Sequence, residues 1–316
     1  MRKFLCLLLI SLLLLGCSNK KAETKAETKD NNATQSVAKL KVTTTTPFLE
    51  EMVNILAGDI VDLDNIIPIG EDPHLYELTP KDSSKLTEAD IVFAHGLHFE
   101  GHMADKLEAI NAVLVSKDFD KADIKEFEED GKIEDDPHFW FDVKLYKQAT
   151  TTLANSLIEK LPDHKETITK RLNDYLAKVD NMRKEAFELI SAIPKENRYL
   201  VSPHDAFSYF AKEYDIETVA PQGITTEAEV STADIIDTVK FIVDHKIKAI
   251  FTESTTNPDR ILKLKEEANK LGHEVKVLSG EGFELLSDSL APKGQKGDNY
   301  IDMVLHNARL ISENLK

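Results

Sequence analysis

The chain is 316 residues long, carries a formal net charge of −17 and is 30% charged. An excess of negative charge on this scale excludes a nucleic-acid backbone as a natural partner and is compatible with cations, although it serves solubility equally well. Its two cysteines, Cys6 and Cys17, both lie near the start, so the rest of the chain has no disulfide, no thiolate metal site and no cysteine nucleophile; any metal there is held by His, Asp or Glu.

Residues 1–17 read as an export signal: Arg2 and Lys3 precede an apolar run from Leu5 to Leu15 that is too short to span a bilayer, which needs ~20 apolar residues. The run ends in Leu14-Leu15-Gly16-Cys17, which resembles the bacterial lipobox and marks Cys17 as the residue to be lipidated, apart from a bulky Leu15 where a small residue is common. Residues 18–38, with a repeated Lys-Ala-Glu-Thr, are too poor in apolar groups to fold and read as a flexible tether.

From there, short β-like runs alternate with helical patterns. Leu40 to Thr44 reads as a strand, Phe48 to Leu56 as a helix with Thr46 as N-cap and Pro47 at its first position, and Ile60 to Ile69 as a second strand. Ile91 to Ala94 and Ala112 to Val115 are further strands, with a helix near Glu100 to Ile110 between them, and Val143 to Leu161 is a helix closing an N-terminal lobe over residues 39–162. A C-terminal lobe over 195–316 repeats the plan: strands at Tyr199 to Ser202, Thr218 to Ala220, Ala249 to Thr252 and Glu274 to Leu278, and helices at Ala206 to Tyr214, Thr232 to His245, Arg260 to Leu271 and Tyr300 to Asn314. This alternation implies βαβ units, hence an α/β fold of two similar lobes, each a mostly parallel sheet flanked by helices.

Residues 163–194 join the lobes. Ile168, Leu172, Tyr175, Val179, Met182, Ala186, Leu189 or Ile190, and Ile193 recur at spacings of three and four, with Pro162 and Pro194 as flanks and no internal Gly or Pro. A single helix of about thirty residues would be ~45 Å long, a backbone strut that limits hinge bending.

Three of the ten histidines share a local setting: Asp72-Pro73-His74, Asp136-Pro137-His138 and Ser202-Pro203-His204. Proline holds the residue before it extended and so helps aim the histidine that follows. The first and third pairs follow strands, and loops at the carboxyl ends of parallel strands are where such folds place ligands. By spacing alone, shared metal ligation and separate hydrogen-bonded histidines are equal readings.

The longer motifs are more specific. Asp72-Pro73-His74-Leu75-Tyr76-Glu77-Leu78-Thr79-Pro80-Lys81-Asp82, then Gly96-Leu97-His98-Phe99-Glu100, Asp136-Pro137-His138-Phe139-Trp140-Phe141-Asp142, His204-Asp205-Ala206-Phe207 with Tyr209-Phe210, and Gly297-Asp298-Asn299-Tyr300-Ile301-Asp302-Met303 occur in order. Together they resemble the landmarks of the zinc/manganese-binding lipoproteins (cluster A-I solute-binding proteins) of bacterial ABC importers, over essentially the whole chain beyond Leu40. The resemblance implies an extracytoplasmic, lipid-anchored monomer that captures one divalent metal ion in an interlobe cleft and delivers it to a membrane permease, which is served by a cytoplasmic ATPase. It names His74, His138, His204 and Asp298 as metal ligands. Glu253 at a strand end could orient a ligand histidine or make a plain structural hydrogen bond, and Trp140 with Phe141 could shield the site or simply fill the core.

In such family members a glutamate at the third ligand position often accompanies manganese; here it is His204, and a nitrogen-rich set leans to zinc over manganese. Against this, the acidic run from Asp118 to Asp136, with ten acidic and three basic residues, lacks the histidines that many zinc-dedicated members carry there. It reads as a solvated loop or a cation funnel. His95, His98 and His102 form a local cluster, with His98 and His102 one helical turn apart, a geometry that can chelate, and are read as surface or packing residues. His164, His245, His273 and His306 have no assigned role. The rival classes are a zinc-dependent hydrolase, which a fourth protein ligand disfavours, and a surface adhesin. No Walker-type glycine-rich loop is present, so the chain itself is not expected to hydrolyse ATP.

Overall fold

A computed structural model describes residues 38–129, 131–227 and 229–316. The expected signal, Cys17 and the tether lie outside the described residues. The first half begins with β1 (Lys41–Thr44), α1 (Pro47–Ala57), β2 (Asp62–Asn65), α2 (Pro80–Glu88), β3 (Ile91–Ala94), α3 (Ala104–Ala109) and β4 (Val113–Leu114). The strands pair in parallel in the order β2-β1-β3-β4. A β-hairpin of β5 (Glu126–Glu129) and β6 (Lys132–Asp135) follows, then α4 (Val143–Lys160). The connecting helix is α5 (Lys165–Ser191). Beyond it come β7 (Tyr199–Val201), α6 (Ser208–Tyr214), β8 (Glu217–Val219), α7 (Thr232–Asp244), β9 (Ala249–Phe251), α8 (Asp259–Lys270), β10 (Lys276–Leu278) and α9 (Tyr300–Leu315). Here the strands form two parallel pairs, β7 with β8 and β9 with β10, and β7 lies beside β9.

Local chemistry explains the helix starts. Thr46 caps α1 and accepts a hydrogen bond from the Leu49 amide, with Pro47 in the first turn where its missing N–H costs nothing. Thr79 and Asp82 form a reciprocal capping box at α2, again with a proline at the helix start. Helix α2 and the β5–β6 hairpin are not among the elements expected from the sequence, and β2 is shorter than the expected Ile60 to Ile69. Past Asn65 the chain keeps two more ladder bonds, Ile66 N to Thr44 O and Ile67 N to Thr45 O at 2.9 Å each, before leaving the sheet. The expected helix near Glu100 begins with a 3-10 turn at Gly101–Met103 and is α-helical only from Ala104.

Helix α5 buries Ile168, Leu172, Tyr175, Val179, Met182, Ala186 and Ile190, the face given by the sequence spacing. Its 27 residues span about 40 Å. The apolar interior is continuous across it. One cluster runs from Val42 and Phe48 through Trp140, Val179 and Phe207 to Ile311, while smaller clusters sit under α7 and α8 in the second half and around Ile66, Leu86 and Leu107 in the first. Lys39–Lys316 is accordingly one compact unit. The two halves are fused along α4, α5 and α9, not joined by a thin hinge. Truncating a fully buried side chain on this seam, Ile190→Ala, is expected to lower stability by about 2–5 kcal/mol, to be read as a shift of the urea midpoint at unchanged slope.

Candidate metal centre

Four donors converge where the two halves meet. His74, His138, His204 and Asp288 are all buried, and each offers a ligand atom within 4.8 Å of the others. Among the described residues no other group of His, Cys, Asp and Glu comes together in this way. His204 follows β7, and its backbone bridges to Gln222, extending the β7–β8 pairing. Asp288 stands beyond a segment that continues the β10 edge of β9: Leu285 N bonds Thr252 O at 2.9 Å and Ser254 N bonds Leu285 O at 3.0 Å. Buried Asn307 on α9 fixes the next residue through both Leu286 N (3.0 Å) and Leu286 O (2.8 Å). His74 and His138 come from the first half, each in an Asx turn in which the Asp two residues earlier accepts the histidine's backbone N–H, at 2.9 Å from Asp72 and 3.0 Å from Asp136.

Asp288 Oδ2 lies 3.2 Å from His204 Nε2 and 3.9 Å from His74 Nε2, and Oδ1 lies 3.4 Å from His138 Nε2. A tetrahedron of donors with ~2.1 Å bonds has edges of about 3.4 Å, so the arrangement is of coordination size. The Nε2 atoms of all three histidines and both Asp288 oxygens are buried without a hydrogen-bond partner, a costly state for polar groups unless a cation satisfies them.

Behind the donors the support is uneven. His138 Nδ1 is 2.7 Å from Asp136 Oδ1, and the other Asp136 oxygen accepts from Ser208 on α6. His204 Nδ1 is 2.5 Å from Glu253 Oε2, although out of line for an ideal hydrogen bond, and that oxygen also accepts from Ser287 at 3.0 Å. Glu253 thus lies directly behind the His204 ring. Asp136 is the supporting carboxylate that the sequence reading missed; it lies in plain view within the Asp-Pro-His motif. His74 Nδ1 has no partner at all.

Asp298 is not in the cluster. It is only partly buried, at the start of α9, where Oδ2 accepts from Gly294 N at 2.8 Å and Oδ1 from Asn299 Nδ2 at 3.0 Å. The Gly297-Asp298-Asn299-Tyr300 motif is a helix-start device: Asn299 caps α9 by accepting from Asp302 N, and Gly297 turns with φ of 89°, where an added Cβ would fall 2.1 Å from Leu286 Cδ1. The carboxylate at the centre comes ten residues earlier, from Leu285-Leu286-Ser287-Asp288-Ser289-Leu290, where a lone Asp in an apolar stretch is the signal.

The remaining expectations divide. Trp140 walls the site: its indole packs edge-on to His138 at 5.2 Å and donates to Ser287 O at 3.0 Å. Phe141 stacks on Phe207 within the shared core. His95 is no surface residue; it is buried among Phe48, Phe99, Phe139 and Trp140, with Nε2 2.7 Å from Thr46 Oγ1. His98 is exposed and left-handed (φ 58°), so it does not lie one helical turn from His102.

Burial and neighbours set opposite charge states in the metal-free cluster. Burial drives His74 down to about 3. Burial also opposes the charged form of His138, but the hydrogen bonds and charges of Asp136 and Asp288 outweigh it and lift it to about 9. His204 is raised for the same reason, by Glu253 and Asp288 against its burial, and Asp288 is held well below the usual carboxylate range by His204 and His138 despite its own burial. At pH 7 the metal-free protein is therefore expected to hold His74 neutral and His138 as imidazolium. Imidazole NMR titration of that form checks this: His74 should show no change between pH 5 and 8, and His138 should remain protonated across that range.

With the geometry established, comparison places the chain among known proteins. The family described as "ZnuA: Zinc-uptake complex component A periplasmic" matches residues 42–314. The chain is 33% identical over 326 residues to the metal ABC transporter substrate-binding lipoprotein SsaB of Streptococcus sanguinis, covering 99% of this chain and 98% of that protein. It is 31% identical over 287 residues to the manganese-binding lipoprotein MntA of Bacillus subtilis, covering 88% and 90%. Among solved structures, a TroA studied for its metal-binding specificity superposes with a TM-score of 0.86 at 51% identity, covering 88% of this chain and 100% of that one. The periplasmic zinc-binding protein TroA of Treponema pallidum superposes with a TM-score of 0.83 at 32% identity, covering 88% and 99%.

Proposed function

The chain belongs to the family of zinc-uptake complex component A proteins, and from that premise we propose that it is the lipid-anchored, extracytoplasmic substrate-binding component of an ABC importer, with one divalent transition metal ion as its cargo. The observation that carries this reading is the buried quartet of three imidazoles and one carboxylate drawn from both halves of the molecule. His74, His138, His204 and Asp288 hold the ion; Asp136 and Glu253 orient His138 and His204 from behind. Four protein donors leave no open position for an activated water, which separates a carrier site from that of a zinc hydrolase. Cys17 carries the lipid, the membrane permease receives the ion from a monomeric carrier, and a cytoplasmic ATPase drives the permease.

Relatives bearing the names of manganese-binding and zinc-binding proteins both resemble this chain. The donor set itself leans to zinc: three nitrogens and one oxygen suit a borderline ion, and zinc outcompetes manganese at most such sites. The two carboxylates behind His138 and His204 add negative charge and retain manganese as the second cargo.

The direct test is metal content and Zn²⁺/Mn²⁺ competition on the chelator-stripped protein from Ser18 onward. One ion per chain is expected. Asp288→Ala should weaken binding by more than about 100-fold, beyond the range for outer supporting residues, whereas Asp298→Ala should leave it within about threefold of the parent, a line drawn well under the ~10-fold where that range begins. The reverse order, or no stoichiometric ion, would overturn the assignment.

Proton release gives an independent check. Because His138 is raised to about 9, and His204 is raised as well, both hold protons at pH 7 that the ion must displace. About one to two protons should leave per ion bound, and affinity should rise roughly tenfold per pH unit for each, up to about pH 9, and fall correspondingly toward pH 5. Calorimetry in buffers of different ionisation enthalpy measures this; a binding enthalpy independent of buffer would contradict it.

A further inference from the structure

The two Asp-Pro-His motifs are built alike up to one difference. In each, one carboxylate oxygen accepts the backbone N–H of the histidine, and the other accepts a hydroxyl from the opposite half of the molecule: Ser208 for Asp136, and Thr226 for Asp72 at 2.6 Å. Asp136 also reaches the ring of its histidine. Asp72 bonds only the backbone of His74, whose ring nitrogens have no hydrogen-bond partner. The orientation of His74 therefore depends on where its loop is held and on edge packing against Phe99, at 5.1 Å between ring centroids.

The loop is tied to the second half by Thr226 Oγ1 to Asp72 Oδ2 and by Gly70 N to Ser289 Oγ at 2.9 Å. Thr226 is itself buried, and its segment starts from Gln222, which bridges to His204 and also accepts from Arg260. The next residue, Glu227, and the His74 carbonyl both lie against Gly101: a Cβ added there would be 2.7 Å from Glu227 Oε1 and 3.3 Å from His74 O. A single hydroxyl thus couples the loop of one proposed ligand, His74, to the segment anchored beside another, His204.

We propose that Thr226 is a positioning residue for metal retention: through Asp72 its hydroxyl holds the otherwise unsupported His74 in place and so sets the rate at which the ion leaves. This rests on the metal-carrier reading above. His74 is the donor that departs first, because His138 and His204 are each held by a carboxylate behind the ring, and Thr226 is the latch on its departure. Supporting residues of metal-binding histidines typically change affinity by ~10–100-fold, and the effect here falls on dissociation, since the Thr226–Asp72 bond must break before His74 can move off the ion.

The experiment compares the parent protein with Thr226→Val, which removes the hydroxyl and keeps the shape, and Thr226→Ser, which keeps the hydroxyl. Zn²⁺ dissociation is followed by stopped-flow transfer to a chromogenic chelator, and amide exchange of residues 70–79 is measured on the metal-free proteins. Expected are an increase in dissociation rate of about tenfold for Thr226→Val, a near-parental rate for Thr226→Ser, and faster exchange of the 70–79 amides in the metal-free valine variant alone. An unchanged rate in Thr226→Val, or equal increases in the valine and serine variants, would overturn the latch. Should the valine variant fail to fold, Thr226→Ala makes the same comparison. Failure of the parent to bind one ion sinks the carrier reading itself, and is thereby distinguished from failure of the latch.

Discussion

Three imidazoles and a carboxylate cannot share a dry interior without a positive charge among them. That constraint organises the molecule. In the metal-free state protons on His138 and His204 face the ionised Asp288; in the loaded state a divalent ion takes over the role. Either way the donors must be gathered against their cost of burial, and the gathering is done by backbone. Two donors sit beyond strands or strand extensions in the second half, and two sit in Asx turns in the first half.

The scaffold around it is unusually committed. The apolar core passes without interruption from β1 through α5 to α9, and α9 is tied back to the first half by Glu51, which accepts from Tyr300 N at 2.7 Å, and by the Tyr300 hydroxyl, which donates to Trp140 O at 2.7 Å. Wide rotation of the halves would tear this core. Adjustment around the ion is left to loops, and among the three ligand histidines His74 is the one with no carboxylate beside its Nδ1. Rigidity along the seam and looseness at one donor are two aspects of one design.

Much of this was legible in the chain. The seven buried positions of α5 follow from spacings of three and four, and the caps of α1 and the order of β and α elements follow from local signals. The three histidines stood out because proline and aspartate recur beside them. Asp288 did not, because its placement depends on a segment joining the edge of β9 and on Asn307 reaching from α9, neither of which has a local signature. Asp298 was named by the resemblance of its stretch to a family motif, but that stretch here forms a helix start, with Asn299 as the cap. Helix α2 was missed despite its Thr79-Pro80-Lys81-Asp82 opening because its sequence, Pro80–Glu88, buries only Asp82 and Leu86 and so lacks apolar periodicity.

The chain contains one tryptophan, and its position has a practical consequence. Trp140 is fully buried, lies edge-on to His138, and has its indole N–H on the carbonyl of Ser287, next to Asp288. Its excited state is thus flanked on one side by an imidazole that is charged without metal and neutral with it, and on the other by the residue before the carboxylate. Ultraviolet emission from this single chromophore is expected to change as the ion enters, with no label and no competing indole elsewhere in the protein.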